Sequence, residues 1–526
     1  MPPSWSLPDT LRCPVAHRAD LHPDDAAICT PERLWTYREM DEAVTATARA
    51  LQSAGISAGS VVGMRMERSP GAVILLWAIW RIGATAAPLS VRLPAEGLRA
   101  AARRCGIQPV ITDESRIAGA LSDASIGALS ASEIVRWTTG GSGAGSQAPS
   151  WNLDRDATLV FTSGSTGTPK AALHTLRNHV ASARGSNANT PVEAGHRWLL
   201  SLPLYHVGGL AVLFRCALGG GAVAIPTGSR PLGPTVEVLD ATHLSLVATQ
   251  ARRLLDRMEE NGGEAGALLT ERLRAVLIGG GAVPAELLDR AVAAGWPVHT
   301  TYGCTEMASQ VTTTAPGASR DALATAGSLL PHRALRIDVD GPDPGEDEET
   351  TRRVGEILLR GDTLFRGYVQ PAGEATSGAG DATATDLDPA RDEEGWYHSG
   401  DRGWMDERGR LHVVGRVDRM FISGGENIQP EELESALERI DGIDRAVVVP
   451  VSDADYGRRP VAFVAAADHS VVAWRQSLAE HLPAFKIPDA FEPLPAEAVD
   501  GRMKVDRHAL RNRAEAAHGT AGRTDD

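Results

Sequence analysis

The sequence predicts an α/β protein, with a large N-terminal domain of two α/β lobes and a small β subdomain, followed by a small α+β C-terminal domain. Three observations carry this. The chain has 526 residues, more than one ordinary hydrophobic core accommodates. Strand-like and helix-like stretches alternate as far as about residue 330. Beyond that the pattern shortens to strands, and after Asp418 it resumes as βαββαβ. The lobes are placed at about 1–150 and 151–330, the β subdomain at about 331–417, together the 1–417 domain, and the small domain at 418–526.

In the first lobe, Trp35-Thr36-Tyr37 precedes a helix from Arg38 to Ala54, with Met40, Val44, Ala48 and Leu51 at helical spacing. A strand at Ser60 to Met66 follows. The apolar run Ala72 to Trp80 is too short to span a bilayer and ends at Arg81, so it reads as a buried helix. Ala84 to Leu89 is the next strand, and this order favours a parallel sheet with helices on both faces. Gly140-Gly141-Ser142-Gly143-Ala144-Gly145-Ser146 is a linker by composition. The second lobe alternates helix 176–186, strand 197–202, helix 208–218 and strand 221–225. Ala334 to Val339, Gly355 to Leu359 and Leu411 to Val414 are the strands of the β subdomain. The acidic stretch Asp340 to Thr351 and the Ala, Gly, Thr and Asp-rich stretch Ala372 to Glu394 read as solvated loops. The tail carries helices near Pro430 to Ile440 and Val471 to His481, extends to about Arg513, and is expected to fray over its last dozen residues.

Composition narrows the function. Hydrophobic residues at 43% and charged residues at 23% describe a soluble globular chain, and its net charge of -15 disfavours nucleic acid or an anionic membrane as main partner. A local basic pocket for a nucleotide remains compatible with that charge. Cys13, Cys29, Cys105, Cys216 and Cys304 are odd in number and scattered without metal-type spacing, which argues against disulfides or zinc and suits a cytoplasmic protein. Met1-Pro2-Pro3-Ser4-Trp5 lacks the regions of a secretory signal.

The most informative stretch runs from Thr158 to Lys170, where a β-favouring run breaks into hydroxyl residues and glycines and closes on Pro169-Lys170. Gly164 and Gly167 let backbone N–H groups approach oxyanions, Thr162, Ser163, Ser165 and Thr166 add neutral donors, and Lys170 adds a point charge. Such a loop can wrap polyphosphate. It is not a Walker loop, because Ala171 follows the lysine. Its plain alternative is a flexible surface turn. Three further loops at predicted strand ends, Leu202 to Gly209, Ile278 to Pro284 and Thr301 to Glu306, fall where open α/β sheets bind ligands.

Phe161 to Lys170, Tyr302-Gly303-Cys304-Thr305-Glu306, Ser399-Gly400-Asp401, Gly415-Arg416-Val417-Asp418, Gly424-Gly425-Glu426-Asn427-Ile428 and Lys504-Val505-Asp506-Arg507 resemble, in order and across nearly the whole chain, the motifs of the adenylate-forming acyl-CoA synthetase superfamily. The resemblance implies a ligase using ATP, Mg2+ and CoA, with a mobile small domain. It puts the β- and γ-phosphates on Thr162, Ser163, Gly164, Ser165, Thr166, Gly167 and Lys170, magnesium on Glu306, and Thr305 near the α-phosphate. Tyr302, Gly280 and Gly281 would face adenine, and Asp401, assisted by Arg416, the ribose. Lys504 matches the lysine of the adenylation step, although Met503 stands where the family usually has glycine, so Arg502 is a rival. Asp418 matches the hinge, Gly424 and Gly425 the pantetheine tunnel, and His206 the gate at its inner end.

Within the superfamily the chain looks most like the 2-succinylbenzoate-CoA ligases of menaquinone synthesis, on Leu202 to Leu210 with Leu213-Phe214-Arg215, the triple glycine before Ala282-Val283-Pro284, and Glu306 to Gln310. A dicarboxylate leaves one carboxylate unreacted, and Arg215, Ser309 and Gln310 are the candidate donors for it. The plain alternative for Arg215 is a surface or helix-capping residue. Rival functions are a ligase for another acyl or aryl acid, an amino-acid adenylating enzyme and a nucleotide-binding regulator or ATPase. Partners are small molecules, without nucleic acid or membrane insertion, and a homodimer is an allowed assembly.

Overall fold

In the computed structural model the helix expected through Trp77 and Trp80 spans Pro70–Arg81, and every side chain from Ala72 to Arg81 is buried. Ser69 caps it, accepting from the Ala72 N–H at 3.1 Å, and Pro70 opens it, where the missing proline N–H costs nothing. Trp77 stacks on Trp151, and the Trp80 indole donates to the Ala157 carbonyl at 2.9 Å. Arg81 tolerates burial because it donates to Asp41 at 2.6 Å and to Thr45 at 2.7 Å. Each fully buried leucine or isoleucine here contributes about 1.5–3 kcal/mol. The structure describes residues 6–122, 126–137, 150–162, 170–228, 231–260, 270–339, 353–370, 387–423, 426–453, 456–466, 470–480, 482, 484–495, 499–500 and 504–519.

The chain divides into two units. The first comprises Met1–Gly281, Ala291–Leu335 and Leu359–His398. It holds an eight-stranded sheet in the order Leu387–Asp388, Gly367–Val369, Lys170–Thr175, Asp156–Thr162, Thr85–Pro88, Val61–Arg65, Val110–Thr112 and Ala128–Ser130. Its nine-stranded sheet runs Ser328–Leu329, Ser309–Thr313, Val298–Cys304, Ala275–Ile278, His243–Leu246, Arg197–Leu199, Ala222–Ala224, Ala26–Cys29 and Leu34–Thr36. The amphipathic helix is Tyr37–Ser53, with Met40, Val44, Ala48 and Leu51 buried and a capping box between Thr36 and Glu39.

The strands expected to form a parallel sheet do so, Val61–Arg65 pairing parallel with Thr85–Pro88 and Val110–Thr112, and Val110–Thr112 with Ala128–Ser130, whereas each sheet taken whole is mixed. Their centres are parallel, but Lys170–Thr175 runs antiparallel to Asp156–Thr162, and Ser309–Thr313 antiparallel to Val298–Cys304. The connections explain this, since a parallel return needs about a dozen residues or more. The lobe boundary near 150 is not a sheet boundary either, because Asp156–Thr162 joins Thr85–Pro88 of the first stretch. Leu387–Asp388 pairs with Gly367–Val369, so the end of the second expected loop is an edge strand, drawn in by the partly buried Leu387.

The second unit comprises Ala282–Arg290, Arg336–Leu358 and Ser399–Asp526, so the boundary expected at Asp418 falls inside it. Of the four-stranded sheet Arg333–Asp338, Gly355–Gly361, Tyr397–Met405 and Leu411–Arg416, in that order, this unit holds residues 336–338, 355–358, 399–405 and 411–416. A three-stranded sheet follows, Ile443–Asp453, Gly457–Ala466 and Ala490–Pro493, its last pair parallel. Helices Pro430–Leu437 and Val471–Ala479 pack Leu433, Leu437, Trp474 and Leu478 against one face. Helix Arg507–His518 packs Leu510 and Ala514 against Val447, Val449 and Phe463. Among the described residues no helix is long and apolar enough to cross a membrane. The Gly140–Ser146 linker and the acidic stretch Asp340–Thr351 lie outside the described residues.

Candidate active site

In the first unit the hairpin that carries the glycine-rich loop brings Thr162 and Lys170 opposite one another, with the Thr162 hydroxyl 3.5 Å from the Lys170 carbonyl. The loop residues Ser163, Gly164, Ser165, Thr166 and Gly167 lie outside the described residues, as do Gly424, Gly425 and Arg502. The Lys170 ammonium stands 4.8 Å from the ring centroid of Tyr368, held beside it because Tyr368 registers against Ala172 on the neighbouring strand. The Tyr368 hydroxyl donates to Oε1 of Glu306 and lies 3.2 Å from the Tyr397 hydroxyl. One ring thus joins the predicted phosphate lysine to the predicted metal carboxylate.

Glu306 is buried on a one-turn 3-10 helix, Thr305–Met307. Its backbone is anchored on both sides, the Thr305 carbonyl accepting from His174 Nε2 at 2.7 Å and the Glu306 carbonyl from the Phe365 N–H at 2.8 Å. Burial, with the Glu306 carboxylate close by, pushes the hydroxyls of Tyr368 and Tyr397 well up, so both stay protonated. Burial lowers His174, which remains a neutral donor at pH 7. Among the described residues no group of three or more His, Cys, Asp or Glu is arranged to hold a metal. Magnesium does not require one, since it binds through one or two carboxylates together with substrate phosphates and water. A buried glutamate with only one oxygen engaged by Tyr368 fits that demand.

Immediately after Glu306 the backbone is strained, with φ of 52° at Ala308 and 119° at Ser309. Gly303 permits the bend, because a Cβ there would stand 2.0 Å from the Ser309 carbonyl oxygen. The bend aims Ser309 and Gln310 at Arg215 of helix Val207–Gly219. Arg215 is only 2% exposed and donates to Ser309 Oγ at 3.2 Å and to Gln310 Oε1 at 2.8 Å, its guanidinium 4.9 Å from the Trp198 ring centroid. It is therefore neither a surface residue nor a cap. Gln310 Nε2 donates to Thr313 Oγ1 at 2.8 Å, which fixes the orientation of the amide. A second buried arginine, Arg333, donates to the Gln310 carbonyl at 2.6 Å and to Ser182. Burial brings Arg215 down to about 10, and burial together with the charge of Arg215 brings Arg333 down to about 9. Neither guanidinium has a carboxylate partner among the described residues. Two buried cations without a counter-ion cost several kcal/mol that an incoming anion would offset.

His206 is the exposed N-cap residue of the same helix, edge-on to Tyr205 at 4.7 Å between centroids. Tyr302 is half-buried on Val298–Cys304. In the triple glycine, Gly279 backs onto Thr301, where a Cβ would come within 2.6 Å, Gly280 has φ of 82°, and a Cβ on Gly281 would meet open space.

In the second unit Asp401 and Arg416 face each other across paired strands, with Nη1 of Arg416 3.2 Å from Oδ1 of Asp401. The same guanidinium donates to Asp418 at 2.8 and 3.3 Å, so the expected ribose pair and the expected hinge share one cation. Lys504 lies on Lys504–Val505, opposite Asp500. Asp506 then caps the last helix by accepting from Ala509 N–H at 3.0 Å, and Arg507 forks onto Glu434 at 2.6 and 2.7 Å. The Lys-Val-Asp-Arg run is thus anchored immediately beyond its lysine.

Reading the sequence missed Tyr368, Tyr397, His174 and Arg333. None sits in a motif with chemistry of its own. The one available signal was Arg333, a cation at the start of a strand pattern, whose burial depends on acceptors from distant elements.

Comparison with known proteins matches residues 15–369 to the AMP-binding enzyme family and residues 432–498 to the AMP-binding enzyme C-terminal domain. The chain is 32% identical over 502 residues to the 2-succinylbenzoate--CoA ligase of Salmonella typhimurium, covering 94% of this chain and 96% of that protein. It is 32% identical to the enzyme of the same name from Geobacillus kaustophilus, covering 92% and 93%. Among solved structures it resembles the o-succinylbenzoate CoA synthetase from Bacillus subtilis in complex with the acyl-adenylate intermediate OSB-AMP, with a TM-score of 0.80, 26% identity and 96% and 98% coverage. The same Bacillus subtilis enzyme in complex with ATP and magnesium ion gives a TM-score of 0.77 at 27% identity, with 92% and 96% coverage.

Proposed function

Because the chain belongs to the AMP-binding enzyme family, we propose that it joins 2-succinylbenzoate to CoA with ATP, through an acyl-adenylate, as an acid-thiol ligase of menaquinone biosynthesis. One carboxylate attacks the α-phosphorus of ATP and diphosphate leaves; the CoA thiolate then attacks the acyl carbon and AMP leaves. The observation that carries the choice of acid is the buried pair Arg215 and Arg333, tied to the segment just after Glu306 by the bonds of Arg215 to Ser309 and Gln310 and of Arg333 to the Gln310 carbonyl. A dicarboxylate supplies the anion this pair lacks, and a monocarboxylate does not.

In this reading Glu306, held by Tyr368, ligates magnesium, which when bound neutralises charge on the phosphates. Lys170 and the loop from Thr162 hold the β- and γ-phosphates, and Thr305 lies by the α-phosphate. Tyr302, Gly280 and Gly281 take adenine. Asp401 accepts from the ribose hydroxyls, with Arg416 fixing the carboxylate. Lys504 contributes its ammonium to adenylation, where negative charge grows. Asp418 is the hinge, Gly424 and Gly425 line the pantetheine path, and His206 gates it. Five free cysteines and partners that are small molecules fit a cytoplasmic site of action. The test is incubation with 2-succinylbenzoate, ATP, magnesium and CoA, with AMP and the thioester read by mass.

A further inference from the structure

Gln310 and Thr313 lie on the strand Ser309–Thr313 at a spacing that puts side chains on opposite faces of a regular strand. Here they meet, with Gln310 Nε2 donating to Thr313 Oγ1 at 2.8 Å. The register explains the meeting. Tyr302 pairs with Thr312 and Gly303 with Gln310, so Val311 is an extra residue that returns Gln310 to the face of Thr313. Thr301, paired directly with Thr313, stands on that face too, its hydroxyl 3.4 Å from the same Gln310 nitrogen.

Neither threonine has a hydroxyl proton left for Gln310. Thr301 and Thr313 each reach the Thr312 carbonyl at 2.7 Å, and their oxygens lie 2.9 Å apart. Whether a proton goes to that carbonyl or to the neighbouring hydroxyl, Thr313 keeps a lone pair for the amide. The amide nitrogen is thereby turned to the threonines and Oε1 to Arg215, whose Nη2 donates to it at 2.8 Å. Arg215, Gln310 and Thr313 are all buried, so bulk water does not replace a lost partner. A carboxamide holds a guanidinium without neutralising it. The Nε–H of Arg215 is buried with no acceptor among the described residues, so the group keeps an unspent donor as well as its charge.

We infer that Thr313 sets selectivity for the second carboxylate of the acid, by fixing the direction of the Gln310 amide that holds Arg215 as an unneutralised anchor. This rests on the dicarboxylate ligation proposed above. Gln310 is then a positioning residue that acts through Arg215, and Thr313 acts through Gln310. An amide turned the other way would set Nε2 against the guanidinium, donor against donor, and displace the anchor. A glutamate at position 310 would instead occupy Arg215 with a carboxylate of the protein's own.

The test uses the full chain with Thr313→Val, which keeps the side-chain shape and removes the hydroxyl, and Thr313→Ser, which restores it. In Thr313→Val the KM for 2-succinylbenzoate should rise about 3- to 10-fold with kcat little changed, as for loss of one buried hydrogen bond. The magnesium requirement, and the KM of an analogue keeping only the carboxylate to be activated, should stay at parent values. Thr313→Ser should recover the parent KM. Adding Thr313→Val to Arg215→Lys should cost little more than Arg215→Lys alone, because both act on one contact. Gln310→Glu should raise the KM for 2-succinylbenzoate further than Thr313→Val and spare the analogue. An unchanged KM in Thr313→Val overturns the inference, as do equal losses for the two acids or additive losses in the double variant; thioester formation by the parent leaves the proposed function standing in each case. A parent that binds 2-succinylbenzoate in calorimetry without ligating it overturns the proposed function alone, and the same comparison of variants, made on affinity, then decides the role of Thr313. A parent that neither binds nor ligates the acid overturns both.

Discussion

Arg215→Lys tests the proposed contact between the buried guanidinium and the unreacted carboxylate. The substitution keeps a cation but loses the planar fork, the geometry that now reaches Ser309 at 3.2 Å and Gln310 at 2.8 Å, and the face-on contact with Trp198 at 4.9 Å. A hydrogen bond to a charged group is worth about 1.5–3 kcal/mol, so losing one arm of a bidentate carboxylate contact should lower kcat/KM about 30- to 150-fold, equivalent to roughly 2–3 kcal/mol. The assay compares 2-succinylbenzoate with an analogue that keeps only the carboxylate to be activated. The analogue should lose no more than a few-fold. There is also a pH signature. Arg215, brought down to about 10 by burial, stays charged throughout pH 6–8, so the parent shows no dependence from this group. A lysine in the same dry site has a lowered pKa and loses its charge as pH rises, so the variant should perform better at pH 6 than at pH 8. Equal losses for the two substrates would refute the role of Arg215 as the carboxylate anchor.

Tyr368→Phe removes the donor on Glu306 Oε1 and should raise the magnesium concentration needed for half-maximal activity about 10- to 100-fold, measured by metal titration; an unchanged requirement would separate Glu306 from the metal. Lys504→Ala should suppress adenylate formation far more than thioester formation from supplied acyl-adenylate, and equal losses in the two steps would contradict its assignment. Acid should destabilise the fold early. Burial lowers His243 to about 4, below its unfolded value of about 6.5, so the unfolded chain binds the proton first. Stability from this group is complete above pH 6.5 and is lost as pH falls toward 4, by up to about 3 kcal/mol, with His174 and His179 acting in the same direction. A melting temperature that is flat from pH 7 to pH 5 would contradict this.

Most of the fold was legible because its elements carry local signals. Met40, Val44, Ala48 and Leu51 recur at helical spacing, and Thr36 with Glu39 forms the cap that starts their helix. Strand direction was not legible in the same way. Thr162 and Lys170 sit on antiparallel strands because seven residues cannot carry a crossover, a constraint of connection length rather than of apolar pattern. The candidate site divides along the same line. Glu306, Asp401 and Lys504 stand inside motifs, and each motif includes residues that build its own support, as Asp506 caps and Arg507 anchors the segment after Lys504. Tyr368 and Arg333 are recruited through space. Tyr368 reaches Glu306 only because its strand registers against Ala172, and Arg333 reaches Gln310 and Ser182 across elements far apart in the chain. No spacing in the sequence announces either contact.

Conversion of 2-succinylbenzoate into its CoA thioester by way of an adenylate is read by single-turnover mass analysis with ATP and magnesium, first without CoA and then with it. An acyl-adenylate and diphosphate are expected in the first stage, then 2-succinylbenzoyl-CoA and AMP in the second. Release of orthophosphate and ADP, or a second stage that yields thioester with no adenylate preceding it, would contradict it.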